Sequence, residues 1–418
     1  MEKLNTIKGT KDLFEKDLLY HDEIIANAGK ISRCLNYERI VTPIIESTNV
    51  FVRTLGKTSD IISKEMYTFI DQGKDEITLR PEGTAAVARA LISNSLYENT
   101  CQKYYYFGPM FRREKPQSGR LRQFNQFGLE YFNQDNFLSD TEVIFIANKL
   151  IESLNINDQV VLQINTLGNR VSRETYKENL KKYFLKYKQD LSHDSKVRLE
   201  MNVLRILDSK DSKDKEIALG APIIMDYLDL ESKTFYENLK NSLEELKIKF
   251  YENNNLVRGL DYYNHTAFEF VTKSEKRQNT IIAGGRYNGL VKSLGGKDIC
   301  GVGWAAGIER ISSLLEDKLF RQKKKIISII STSDELNLFG FKILDKLIEM
   351  TNISFNLHLS GTFKKKISKA NKINSVGSII IGDDEIKSGD LIWKDFQTGK
   401  QELVKIKEIQ TFITTRFL

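Results

Sequence analysis

Two runs of β-favouring residues separated by a turn, "KYYYFGPMF" at 103–111 and "QFNQFGLEYF" at 123–132, predict a long antiparallel hairpin. The "KPQSG" between them has the composition of an exposed turn. Around it stand Arg112, Arg113, Lys115, Arg120 and Arg122. A solvated basic loop would carry these residues, because charge runs usually face water; so would a seat for a polyanion. The rest of the chain has to separate the two.

Along the second strand, Gln126, Gly128 and Glu130 share one face while Phe127, Leu129 and Tyr131 share the other. One face reads as core and the other as a polar floor. Gln126 and Glu130 lie about 13 Å apart at the ordinary strand rise. Gly128 leaves backbone uncovered between them, on which a small polar molecule could lie. A solvent-facing strand side with a bulge at Gly128 fits the same residues.

With 418 residues and 40% hydrophobic content, the chain can bury proper cores in two or three domains. Its 63 Lys and Arg against 56 Asp and Glu give a net charge of +7, compatible with a polyanionic partner and with ordinary solubility. Cys34, Cys101 and Cys300 are too scattered for a disulfide framework or a zinc site, so no metal centre is expected. The opening "MEKLNTIKGTKDLFEKDLLYHDEI" has no apolar run suited to a signal peptide or a membrane span; a cytoplasmic protein is expected. His21, His193, His265 and His358 show no paired spacing, and there is no G-x-S-x-G, P-loop or H-E-x-x-H. "GVGWAAG" lacks the glycine spacing of a dinucleotide fingerprint.

The order of elements suggests two domains. A helix over His21–Cys34 precedes an edge-like β run, "YERIVTPIIE", broken by Pro43; a hairpin around Gly73 follows, then a helix from "GTAAVARALISNSL". After the long hairpin comes a helix capped by Ser139 or Asp140. From about 169 to 250 the texture turns to Lys, Glu and Asp with scattered Leu, as in a helical insertion. Strands resume with "LVRGLDYYNHTAFEFV" and "NTIIAGGRYNGLV", and a helix through "AAGIERISSLLEDKL" closes a domain spanning 1–320. Beyond the basic junction "RQKKK", strands and helices alternate over 326–418, as in a small α/β domain.

Three further stretches could carry chemistry. Glu82 and Thr84 in "TLRPEGTAA" sit at a strand-to-helix turn, where an acid and helix amides could receive an amine-bearing ligand; for Thr84 a plain helix cap is the simpler reading. Arg258 and a Tyr pair lie in the strand-like "LVRGLDYY", with Gly259 allowing a close approach. Arg310 lies on a helix among Ile308, Ile311 and Leu314, where a paired structural arginine is the alternative.

Taken in order, these pieces resemble the class II aminoacyl-tRNA synthetases and, within them, the histidyl-tRNA synthetase family along nearly the whole chain. "YERIVTPIIE" is similar to class motif 1, "FRREKPQSGRLRQFNQFGLEYF" to motif 2 and "GVGWAAGIERI" to motif 3; "TLRPEGT", "LVRGLDYY" and "AGGRYNGL" resemble stretches peculiar to the histidine enzymes. The resemblance implies an α+β catalytic domain with a six- or seven-stranded antiparallel sheet, a helical insertion, a C-terminal α/β anticodon-binding domain, and a homodimer built through motif 1. It implies activation of L-histidine by ATP to histidyl-adenylate and pyrophosphate, with Mg²⁺ assisting, then transfer to the terminal ribose of tRNA(His).

By position in the matching motifs, Arg112 is expected at the α-phosphate with Arg258 opposing it, and Arg120 and Arg310 at the outer phosphates. Glu82 matches the acid for the substrate amino group, with Gly83 and Thr84 beside it; Gln126, Glu130, Tyr262, Tyr263 and Tyr287 match the pocket for carboxylate and imidazole, with Glu130 expected at the ring. Lys115, Gln117 and Arg122 fall where the family meets the tRNA acceptor end. Lys364 and Lys365, with Lys366, Lys369 and Lys372, suit an anticodon stem. The chain departs from the family at Asn288, where Asp is common, at Trp304, where Phe is usual, and at "KGTKDLFE", which lacks the usual Pro. A catalytically inactive relative, the regulatory subunit of ATP phosphoribosyltransferase, is the rival; such proteins usually lack the C-terminal domain and part of the arginine set.

Overall fold

The two long strands, Gln102–Phe111 and Gln123–Phe132, pair antiparallel as their composition predicts and lie within the main sheet, while the "KPQSG" turn between them falls outside the described residues. The structure, a computed structural model, describes residues 3–56, 59, 61–96, 101–114, 120–257, 262–274, 280–315, 325–350 and 353–417. The expectations placed on Lys115, Gln117 and Arg258 therefore fall outside the described residues. The chain divides into two units, Met1–Glu316 and Asp317–Leu418.

In the first unit α1 (Lys16–Cys34) leads to β1 (Glu38–Arg39) and β2 (Ile45–Ser47), short strands on either side of Pro43. Next come α2 (Thr48–Leu55), β3 (Tyr67–Ile70), β4 (Glu76–Leu79) and α3 (Thr84–Ser93). The long hairpin is β5 (Gln102–Phe111) and β6 (Gln123–Phe132), followed by α4 (Phe137–Ser153) and β7 (Val160–Thr166). The insertion contributes α5 (Arg170–Lys186), α6 (His193–Met201), α7 (Ser212–Leu219) and α8 (Leu230–Glu245). Then β8 (Phe250–Glu252), β9 (Asn264–Thr272), β10 (Thr280–Arg286), α9 (Leu290–Ser293), β11 (Gly301–Gly307) and α10 (Ile308–Ser312) complete the unit.

The main sheet has eight strands in the order β1-β5-β6-β11-β10-β9-β7-β8. Its interior pairs are antiparallel, but the outermost pairs, β1 with β5 and β7 with β8, are parallel. The sheet is thus one strand wider than the resemblance implied, and mixed. Parallel neighbours need a long crossover, and both have one. Strands β2–β4 with two helices separate β1 from β5, and the whole insertion separates β7 from β8. The insertion also shares a core with the body: Leu180, Phe184 and Leu199 belong to one apolar cluster with Leu91, Tyr106 and Tyr287.

Phe127 and Leu129 are fully buried on one face of β6, as alternation predicts. Trp304 stacks on Phe127 with ring centroids 5.8 Å apart, and its indole N–H donates to the Val143 carbonyl at 2.9 Å. That partner for the indole explains why a residue larger than Phe is accommodated there. The polar face of β6 differs from its reading. It is neither solvent-facing nor bulged, since Gln123–Phe132 pairs without a register shift. Nor is Gly128 uncovered: Tyr106, opposite it on β5, lies across it, and a Cβ at Gly128 or at Gly83 would come 2.1 Å from the Tyr106 ring.

Three local expectations also change. Asn136 caps α4, accepting from the Leu138 and Ser139 amides at 2.9 and 3.2 Å, because Asp140 is committed to the Arg286 guanidinium. Tyr262 and Tyr263 precede β9 instead of lying within it. Ala305–Gly307 ends strand β11, leaving the helix that carries Arg310 only Ile308–Ser312.

The second unit is an α/β sheet of five strands in the order β13-β12-β14-β15-β16. It runs β12 (Lys325–Ser331), α11 (Asn337–Leu347), β13 (Ile353–Leu357), α12 (Phe363–Lys372), β14 (Gly377–Ile381), α13 (Asp383–Ser388), β15 (Asp390–Asp395), β16 (Gln401–Lys405) and α14 (Ile409–Phe417). The apolar "IISIIS" becomes β12, parallel to both neighbours and buried, as a fully covered strand should be. On α12, Lys364, Lys365, Lys369 and Lys372 are exposed. Lys366 is not: it is 1% exposed and its ammonium donates to Ser331 and Asp334. A buried ammonium needs acceptors on every side, so this lysine serves the fold and leaves the basic surface to its neighbours.

Candidate active site

The polar face of the sheet, the start of α3, the short helix α10 and part of the insertion enclose a cavity of about 830 Å³. Glu82, Thr84, Arg112, Arg120, Gln126, Tyr262, Tyr263 and Arg310, all singled out from sequence, line it. Glu130 and Tyr287 do not; they sit beneath its floor. Arg122 stays outside the lining, half-buried, with its amide donating to the Gly9 carbonyl at 2.7 Å.

Each arginine is held by a contact: Arg112 and Arg310 by backbone carbonyls, Arg120 by a carboxylate. Arg112 leaves the end of β5; its Nε donates to the Pro81 carbonyl at 2.9 Å and its guanidinium lies 5.3 Å from the Phe124 ring centre. Arg120 pairs with Glu114 at 2.8 Å. Arg310 donates through Nη1 to the Thr280 carbonyl at 2.8 Å. Burial pushes Arg310 below its ordinary pKa, and Arg112 and then Arg120 push the same way. Arg112 and Arg120 thus repel Arg310, while Glu114 and Glu269, which line the same cavity, offset part of that repulsion. A polyanion in the cavity would relieve what repulsion remains.

Glu82 lies at the other side of the site. Its two oxygens accept from the Thr84 and Ala85 amides, each at 2.8 Å, so the helix cap is Glu82 and not Thr84. The Thr84 hydroxyl is turned inward and donates to Glu130 at 2.6 Å. Burial raises the Glu82 pKa, while the two amides and Arg112 lower it. Gln126, 7% exposed, has its Oε1 buried with no hydrogen-bond partner, an acceptor that a ligand's N–H would satisfy. Rings of Tyr262 and Tyr263 stand 4.5 Å apart between these groups and Tyr287.

Glu130, fully buried, accepts from Thr84, from Tyr106 at 3.3 Å and from Tyr287. Gly303 makes room for it, since a Cβ there would lie 2.1 Å from its carboxylate. Burial pushes its pKa up to about 8, against the pull of the three hydroxyls. A carboxyl raised on folding stabilises the fold fully below its unfolded value and loses that contribution as pH rises through its folded value. Stability of the wild type relative to Glu130→Gln should therefore fall between about pH 4.5 and pH 8, by up to about 4 kcal/mol. Urea titrations of both proteins at several pH values check this; parallel curves would refute it.

Sequence reasoning missed several members of the site. Tyr106 was indistinguishable from Tyr104 and Tyr105 until the register placed it over Gly128. Glu309 orients β6 by accepting from the Asn125 amide and side chain, at 2.8 and 3.0 Å. Arg286 is fully buried against Asp140 and also donates to Gln134, Asn136 and Ser139. Asn288 accepts from Arg286 and from the Gly301 amide at 3.4 Å; an acceptor is needed there and a charge is not, because Asp140 and Asp135 already balance the guanidinium. Among the described residues no cluster of three or more His, Cys, Asp or Glu could hold a metal.

Comparison with known proteins gives a consistent result. Residues 9–311 match the family model for histidyl-tRNA synthetase, and residues 326–416 match that for an anticodon binding domain. The chain is 47% identical over 384 residues to a chloroplastic histidine–tRNA ligase of Gracilaria tenuistipitata var. liui, covering 92% of this chain and 91% of that one. To the histidine–tRNA ligase of Rhodospirillum rubrum it is 41% identical over 419 residues, covering both chains completely. The crystal structure of apo histidyl-tRNA synthetase from S. aureus superposes with a TM-score of 0.80 at 33% identity, over 98% of this chain and 99% of that one.

Proposed function

The chain belongs to the histidyl-tRNA synthetase family, and from that membership we infer that it is a histidine–tRNA ligase whose chemistry runs in the cavity lined by Arg112, Arg120 and Arg310. The convergence of those arginines with Glu82 and the orphaned Gln126 acceptor carries this reading. ATP and L-histidine react first: a histidine carboxylate oxygen attacks the α-phosphorus, the bond to the bridging oxygen breaks, and pyrophosphate leaves. No protein nucleophile is needed. The site has to hold two anions together and stabilise the charge of the transition state, which suits planar, permanently charged guanidinium groups.

In this reading Arg112 holds the α-phosphate, opposed by Arg258, and Arg120 and Arg310 take the outer phosphates. Glu82 receives the ammonium of histidine, with Gly83 and Thr84 shaping its seat and Gln126 accepting a further N–H. The Tyr262 and Tyr263 rings flank the imidazole. Glu130 and Tyr287 act from beneath, fixing the Thr84 hydroxyl and setting the polarity of the ring end. Mg²⁺ fits as an ion carried by the nucleotide, since it commonly binds through substrate phosphates and water with few protein ligands. When bound it neutralises charge on the pyrophosphate.

The second step transfers histidine to the terminal ribose of tRNA(His). Lys115, Gln117 and Arg122 are proposed for the acceptor end, and exposed Lys364 and Lys365 for the anticodon stem. The regulatory rival is disfavoured by the retained cavity arginines and by the anticodon-domain match over 326–416. Exposed Val41, Ile44 and Ile45 in the motif 1 segment support a homodimer, which sedimentation at twice the chain mass would establish. No helix among the described residues is long and apolar enough to cross a membrane, in keeping with the cytoplasmic location proposed, which cell fractionation tests.

Exchange of labelled pyrophosphate into ATP, run with each of the twenty amino acids, tests the function. Signal with histidine alone is the expected result. Exchange with none would favour a regulatory protein, and exchange with another amino acid would overturn the pocket assignment.

A further inference from the structure

The cavity has a wall supplied by the insertion. Arg198 on α6, and Arg205, Asp208 and Lys210 on the segment after it, line the same space as Arg310, Glu269 and Thr280. These groups are held in fixed relation. The Arg198 Nη1 donates to the Arg205 carbonyl at 3.2 Å. Asp214 ties the start of α6 to the later segment, its Oδ2 accepting from the Ser192, Ser195 and Ser209 hydroxyls at 2.6 Å each.

Their neighbours show which end of the site they serve. Thr280 donates its hydroxyl to Glu269 at 2.7 Å, while its carbonyl accepts from Arg310. Asp208 feels Glu269 as a like charge and Arg205, Arg198 and Lys210 as opposite ones. The insertion residues thus share the cavity with Glu269, Thr280 and Arg310, which are joined to one another through Thr280. Arg112 acts both on Arg310 and on Glu82, and so links this end of the site to the amino-acid end.

We infer that Arg198 and Arg205 form a second phosphate grip, which takes the outer phosphates of the nucleotide and then the departing pyrophosphate, with Asp208 as the counterion it gives up. This rests on the reading of the cavity as the nucleotide site. Guanidinium groups facing a cavity need a balancing anion, and Asp208 supplies one while Glu269 repels it. A polyphosphate carries more charge and offers paired acceptors, so it displaces the carboxylate. The tRNA terminus must approach the α-phosphate, at the other end, and is the less fitting occupant.

The test uses the full-length Arg198→Ala/Arg205→Ala variant. Its KM for pyrophosphate and for ATP in histidine-dependent exchange should rise by about tenfold or more, as loss of charge-assisted bonds to phosphate would give. Single-turnover transfer from enzyme-bound histidyl-adenylate to tRNA should stay within about twofold. Unchanged KM values overturn the inference, and so does loss of transfer with KM intact, which would assign the pair to nucleic acid. Asp208→Asn provides a second measurement, by calorimetry with magnesium pyrophosphate and without turnover. Removing the competing carboxylate should tighten binding by roughly threefold, and unchanged or weaker binding counts against the grip. Absence of histidine-dependent exchange in the wild type defeats the cavity reading itself, and calorimetry separates that failure from a failure of the grip.

Discussion

Replacing Arg112 with alanine should lower histidine-dependent exchange of pyrophosphate into ATP by about a thousandfold, with the fold intact. The size of the effect follows from where the charge acts. Arg112 lies in the cavity at the end of β5, within reach of Glu82 on one side and Arg310 on the other. A group so placed can meet the nucleophile's carboxylate and the phosphate together, and its value grows as charge develops in the transition state. Its structural part is small by comparison: one bond to the Pro81 carbonyl and the face of Phe124, together about 1–2 kcal/mol. Arg112→Lys keeps the charge and loses the fork, so it should recover only part of the activity. Arg258→Ala, for which the opposing role is proposed, should fall about as far. An Arg112→Ala enzyme within tenfold of wild type, at unchanged thermal stability, would remove the residue from the reaction.

The largest structural effect should come from Asp140→Ala, which is expected to cost about 3–5 kcal/mol in urea unfolding. Asp140 and Arg286 are both 0% exposed and make a buried pair between α4 and β10. Burial alone would lower the Arg286 pKa; Asp140 first, with Cys300 and Asp135, more than offsets it. Removing the carboxylate leaves the guanidinium with the backbone oxygens of Gln134 and Asn136, the Ser139 hydroxyl, the Asn288 side-chain oxygen, and, among the described residues, only the exposed Asp135 as a paired counter-charge. Because an apolar pair of similar volume is often no less stable than a buried ion pair, Asp140→Leu/Arg286→Met should recover more than half of the loss. A single-variant cost under about 1 kcal/mol would show that the pair is not the tie between helix and sheet that its burial implies. Exchange activity should decline as well, since Arg286 precedes Tyr287, whose hydroxyl holds Glu130.

Elements whose cause is local were legible before the fold was known. Alternation along 123–132, the turn at Gly73, the helix after Gly83 and the two strands of the long hairpin all depend on neighbours a few residues apart, and the structure keeps each of them. The cap of α3 was misread at one level. Thr84 has the right composition for a cap, but its hydroxyl is taken by Glu130, 46 residues away, and Glu82 does the capping. The cap of α4 moved to Asn136 for a similar reason, since Asp140 had a distant partner in Arg286. Lys366 looked like its neighbours on α12 until the fold of the second unit set it against Ser331 and Asp334.

By itself, the order of residues determined that this chain would form a strand-rich domain with a helical interruption and a smaller α/β domain after it, and that arginines would gather at one hairpin. Periodicity, turn chemistry and charge are properties of short windows, so they survive without knowledge of the rest. Only the tertiary structure decided that Tyr106 covers Gly128, that Glu130 lies beneath the floor with its pKa pushed up by burial, and that the insertion lends Arg198 and Arg205 to the cavity. Each of these depends on burial and on partners brought together by strand register and crossover. Desolvation and Coulomb energy act through space, and distance along the chain does not reveal them.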